Sequence, residues 1–81
     1  MTEERTLEAI PAGRKGRLVE LALEPAESQR LMEMGMTPGT DVLVLKRAPL
    51  GDPIEIVVRG GHLSIRKDVA RAITVLPLEQ P

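Results

Sequence analysis

The stretch from Asp41 to Ile65 constrains the fold more than any other part of the chain. Val42 and Val44 alternate with Leu43 and Leu45. After the break at Pro49-Leu50-Gly51-Asp52-Pro53, Ile54, Ile56 and Val58 recur at every second position. A strand turns residues i, i+2 and i+4 to one side, so both runs predict half-buried β-strands. Gly60-Gly61 offers two positions that tolerate positive φ, as a tight hairpin turn demands. Leu63 and Ile65 continue the pattern on the return strand. A three-stranded meander cannot bury its apolar face alone, so the remaining segments must close or cover it.

Those segments supply the parts. Gly16 to Leu23 predicts a first long strand, with Val19, Leu21 and Leu23 alternating against Leu18, Glu20 and Ala22. Pro25 opens a helix over residues 25–34, because a proline at the first helical position gives up an N–H that would have no partner. Gly35 stands where the left-handed residue after a helix belongs. Leu31 and Met34 are expected to share the face that packs on the sheet, and Leu31→Ala or Met32→Ala to loosen it. The methionines are expected as core filler. Thr37-Pro38-Gly39-Thr40 has the type II turn pattern. Leu7 and Ile10, ahead of Pro11-Ala12-Gly13, predict a short docking segment at one end of the core. Arg66 to Ala72 allows one or two helical turns, and Ile73 to Leu76 a closing strand.

The expected fold is therefore mainly β, a small barrel of about five strands with one inserted short helix. Closure would remove the two edges of an open sheet. With 81 residues the chain is expected to be one domain, residues 1–81, with 1–6 and 77–81 as flexible ends. Stability near the low end of the usual range, about 5 kcal/mol, is expected for this size.

Composition excludes several functions. The chain has no cysteine, so it offers no disulfide, thiolate metal site or thiol nucleophile. It has no aromatic residue, which removes base-stacking platforms and an aromatic groove for proline-rich ligands. Eleven basic and 12 acidic residues leave a net charge of −1, without the basic excess of a nucleic-acid binder. No run reaches the roughly 18 apolar residues of a membrane span. No apolar signal segment follows Met1, and the expected address is the cytoplasm.

No catalytic arrangement is legible. The one histidine, His62, follows the Gly-Gly turn, and Ser28 and Ser64 have no spacing that joins them to it. Asp41, Asp52, Glu55 and His62 are the donors a divalent ion would use, although no two of them have a recognised ligand spacing. Asp52 is better explained as a turn residue. Lys46, Arg47, Arg59, Arg66, Lys67 and Arg71 are candidates for one positive patch, either a solvated rim or a docking surface for an acidic protein face.

Four elements in close order resemble the FeoA family: Arg30-Leu31-Met32-Glu33-Met34-Gly35, the Pro38-Gly39 turn, the loop from Arg47-Ala48-Pro49-Leu50-Gly51-Asp52-Pro53 to Ile54-Glu55, and Arg59-Gly60-Gly61. The likeness runs from about Leu7 to Leu76, with Met34 where the family more often has leucine. The resemblance implies an SH3-like barrel with an inserted helix and no catalytic activity or cofactor. It implies a role as an accessory protein of bacterial ferrous iron uptake. The implied partner is FeoB, the membrane iron transporter with a cytoplasmic GTP-binding domain. The same domain also ends metal-dependent repressors of the diphtheria-toxin-repressor type, where it follows a DNA-binding domain. For an interaction module the expected contacts are Gly35, Met36, Arg47, Pro49, Leu50, Gly51, Asp52 and Arg59. Arg47 and Arg59 are also the candidates for an arginine supplied to a bound nucleotide. The alternative reading is a small metal-responsive module in which Fe²⁺ binds through His62 and nearby carboxylates.

Overall fold

The computed structural model describes residues 3–78. Met1, Thr2 and residues 79–81, part of the ends expected to be flexible, lie outside the described residues. Arg5, Thr6 and Pro77, from the same expected ends, are paired in strands.

The elements in order are β1 (Arg5–Thr6), a 3-10 turn (Leu7–Ala9), β2 (Lys15–Leu21), α1 (Pro25–Glu33), β3 (Asp41–Arg47), β4 (Ile54–Val58), β5 (Gly61–Ile65), α2 (Lys67–Ala70) and β6 (Ile73–Pro77). All strands join one antiparallel sheet in the order β1-β6-β2-β3-β4-β5. The expected strands are present, with β1 in addition. The ladder does not close, because β1 and β5 remain its two edges. The inner face is covered instead by Leu7 and Ile10 of the docking segment, Leu31 of α1, Met36, and Ala70 of α2. With Leu18, Val42, Val44, Ile54, Ile56, Val58, Ile65, Ile73 and Val75 they form the buried core. Among the described residues no helix is long and apolar enough to cross a membrane.

Two β-bulges overturn the simple alternation read from the sequence. In β3 the register shifts between Val44 and Lys46, so Leu45 is the extra residue. Of the two alternating faces it is Val42 and Val44 that point inward, but Lys46 then pairs with Glu55 on the outer face and Arg47 with the buried Ile54. In β2 the shift falls between Leu18 and Glu20, with Val19 extra. Leu18 and Leu21 therefore share the inner side, while Val19 is exposed. A bulge adds one residue and flips the parity of all that follow, which a period-two pattern cannot register.

The exit of α1 comes one residue before the expected Met34, with Gly35 in the left-handed place expected of it. The helix ends at Glu33, and Gly35 has φ +104°. The Gly35 N–H donates to the Met32 carbonyl and the Met36 N–H to the Leu31 carbonyl, both at 3.0 Å. This is a Schellman turn, in which the second residue past the cap packs back on the last helical turn. Met36 is accordingly 0% exposed and Met34 45% exposed, so Met36 rather than Met34 joins Leu31 in the core. The following turn forms as expected, with the Thr40 N–H bonded to the Thr37 carbonyl at 3.1 Å and Gly39 at φ +92°.

Candidate functional site

The loop joining β3 to β4 is ordered by its own main chain. The Ala48 N–H donates to the Pro53 carbonyl at 3.0 Å, and the Gly51 N–H to the Ala48 carbonyl at 2.7 Å. The Asp52-Pro53 peptide is cis. The Asp52 carboxylate accepts a 3.0 Å hydrogen bond from the N–H of Lys67, the first residue of α2, tying loop to helix. Asp52 is thus a turn residue with a capping duty. At the tip, Leu50 is 93% exposed.

Arg47 lies at the base of this loop. Because the bulge turns it inward, its guanidinium donates to the Glu8 carbonyl and, at 2.8 Å, to the Ile10 carbonyl. It satisfies carbonyls at the end of the 3-10 turn that have no partner within that turn. Arg47 is half-buried and fastens the docking segment to β3.

Gly35 and Arg59 meet at the opposite end of β4, roughly 16 Å away at the usual rise per residue. The positive-φ pair of the β4–β5 hairpin is Arg59 (φ +50°) and Gly60 (φ +79°), not Gly60 and Gly61 as the sequence suggested. Val58 pairs with Gly61, so Gly61 is already the first residue of β5. The Arg59 stem lies over Gly35, and its guanidinium reaches the Thr40 hydroxyl at 3.3 Å.

The eight expected contacts therefore do not form one surface. Arg47, Pro49, Leu50, Gly51 and Asp52 gather at one end of β4, and Gly35 and Arg59 at the other. Met36 is interior. The six basic residues divide in the same way: Arg59 stands apart from Arg47, Arg66 and Lys67, and Arg71 faces Glu8 at 4.0 Å. Lys46 faces Glu55 at 4.0 Å on the outer side of the sheet.

The four candidate metal donors do not converge. Asp41 accepts from Arg17 Nε at 2.9 Å, a bond that, with the carboxylate's charge, raises the guanidinium above its ordinary value. Asp52 serves Lys67, Glu55 faces Lys46, and exposed His62 pairs across the ladder with Val57. Among the described residues no group of three His, Cys, Asp or Glu side chains comes together. These residues do not fit a resident metal.

One feature escaped the reading by sequence. A shallow cleft of about 150 Å³ opens between α1 and the end of β5, lined by Glu27, Arg30, Leu31, Ser64, Ile65, Arg66 and Val69. Its residues come from three separate elements, with α1 far in the chain from β5 and α2, so no local pattern marks it.

A family model described as the FeoA domain matches residues 5–77. The FeoA protein of Chlorobium tepidum is 40% identical with a TM-score of 0.89, over 93% of this chain and 71% of that one. The FeoA-like protein of Clostridium acetobutylicum is 32% identical with a TM-score of 0.85, over 100% and 94%. The zinc complex of FeoA from Stenotrophomonas maltophilia, described as a prokaryotic SH3 domain protein, is 24% identical with a TM-score of 0.73, over 88% of each chain. That last likeness is one of fold, and it agrees with the SH3-like architecture implied by the family resemblance.

Proposed function

The chain belongs to the FeoA family of ferrous iron transport accessory proteins, which are not enzymes, and from that premise we propose that it docks on the cytoplasmic GTP-binding region of a FeoB-type transporter and modulates transport or nucleotide turnover. It would do so in the cytoplasm, as one domain spanning residues 1–81. The observation that carries this reading is Leu50, almost fully exposed on a loop closed by two main-chain hydrogen bonds and fastened to α2 through Asp52. A loop already ordered loses little entropy when a partner covers it. Pro49 and Gly51 hold the tip, and the neighbouring Arg66 and Lys67 give the approach a positive field.

Modulation by docking suits the site better than an arginine donated to the nucleotide. Arg47 is engaged with two carbonyls, and Arg59 is laid over Gly35 against Thr40.

The test is a pull-down of purified protein against the transporter's soluble GTP-binding domain and the full-length transporter, with GDP and with a non-hydrolysable GTP analogue. Binding that depends on the nucleotide and is lost in Leu50→Asp is expected. Equal capture of folded Leu50→Asp would remove the loop from the interface, and no capture of the native protein would remove the partner.

A further inference from the structure

The sheet has two edges of unequal reach: β1 has only two residues, whereas β5 has five. The two-residue turn at Arg59-Gly60 makes Val58 and Gly61 a hydrogen-bonded pair. Antiparallel pairs alternate, so Ile56–Leu63 and Ile54–Ile65 are bonded likewise, and Val57–His62 and Glu55–Ser64 are not. The N–H and C=O groups of His62 and Ser64 consequently point away from β4. Among the described residues they have no hydrogen-bond partner. Natural edges are usually shortened, bulged or guarded by lysine or proline; β5 carries none of these devices.

The cleft described above lies at this edge, since Ser64 and Ile65 form part of its wall. Leu31, Ile65 and Val69 give it an apolar part beside the polar and charged Glu27, Arg30, Ser64 and Arg66. Its charged lining is Glu27, Arg30 and Arg66; Glu27 is already ion-paired with Arg30, which leaves Arg66 without a carboxylate among the described residues. Main-chain donors and acceptors, a partly apolar recess and an unpaired cation thus stand side by side.

We infer that the β5 edge accepts an extended segment of another protein as an added strand, one whose apolar side chain enters the cleft and whose neighbouring carboxylate meets Arg66. Strand addition obtains affinity from the main chain and selectivity from pockets that read alternate side chains. An occupant of about five residues would match the edge. Its chemistry is apolar and acidic in alternation. The inference is independent of the transporter and of Leu50.

Selection of a displayed random heptapeptide library against the native protein tests it. Enriched peptides should alternate apolar and acidic residues and protect the His62 and Ser64 amides from hydrogen exchange. Ser64→Pro removes an outward N–H without touching the β4 ladder, a substitution edge strands tolerate, and should weaken binding at least ten-fold. Ser64→Ala, which keeps that N–H, should bind as the native protein does. Arg66→Glu should weaken binding several-fold. No enrichment, or peptides that bind Ser64→Pro normally, would overturn the inference. So would dimerisation of the native protein that Ser64→Pro abolishes, since a second copy would then be the occupant. Should Ser64→Pro not fold, unprotected His62 and Ser64 amides in the peptide complex would overturn it equally.

Discussion

Arg59 lies so close over Gly35 that a β-carbon added to the glycine would meet Arg59 Cδ at 3.0 Å. Both residues are held at positive φ, Gly35 at +104° and Arg59 at +50°. The helix exit and the β4–β5 hairpin therefore share one contact, although 24 positions separate them in sequence (59 − 35). This contact joins two of the four elements by which the family is recognised.

Gly35→Ala should destabilise the protein by about 1–2 kcal/mol from the left-handed backbone alone, with a further cost from the Arg59 stem. Gly39→Ala is the control, since Gly39 has φ +92° but nothing within 4 Å of its added β-carbon. Urea denaturation should show Gly35→Ala as the costlier of the two. Arg59→Gly should recover part of the difference in a double-mutant cycle. Strict additivity would mean that the contact carries no energy.

Arg47→Met should cost about 1–3 kcal/mol, because it leaves the Glu8 and Ile10 carbonyls without their charged donor. The loss should appear first as faster hydrogen exchange in the 3-10 turn. Hydrogen exchange there that matches the native protein would contradict this fastening role. The consequence for binding studies is direct: Arg47→Glu would weaken a partner through instability as readily as through lost contact.

Leu31→Ala and Met32→Ala, alike by sequence, should separate. Leu31 is 2% exposed and Met32 39%. A buried leucine cut to alanine costs roughly 2–5 kcal/mol, a large share of the about 5 kcal/mol expected for a domain of this size. Met32→Ala should stay within about 0.5 kcal/mol. Met36→Ala should resemble Leu31→Ala, and thermal melts of the three variants decide the order.

Asp52→Ala should cost about 0.5–2 kcal/mol by removing the acceptor for the Lys67 N–H. It should also loosen the loop that presents Leu50. Amide exchange at Lys67 is the readout, and an unchanged rate would show that the bond contributes nothing in solution.

The sequence by itself determined the strands, the helix start at Pro25, the type II turn and the family. Each of these is written locally: period-two alternation, a proline at the first helical position, a Pro-Gly pair. The inward face of Ile54, Ile56 and Val58, opposite Glu55 and Arg59, followed directly, as did burial of Leu7 and Ile10; for β3 both alternating faces are apolar, and only the fold chose Val42 and Val44. Only the tertiary structure decided which neighbour turned inward after a bulge. Leu45 and Val19 each add one residue, and the choice of Arg47 over Lys46 depends on how β3 fits β4. The same holds for Met36 over Met34, fixed by where the chain must re-enter the core after Gly35. It holds for β1, whose two polar residues pair through the main chain and need no side-chain pattern. It holds for Gly16, where any β-carbon would stand 2.9 Å from Val75 Cγ2 across the ladder. The division has one physical reason. Propensity and periodicity act within a few residues, while register, close approach and the filling of a shared core are settled between segments that meet only once the chain has folded.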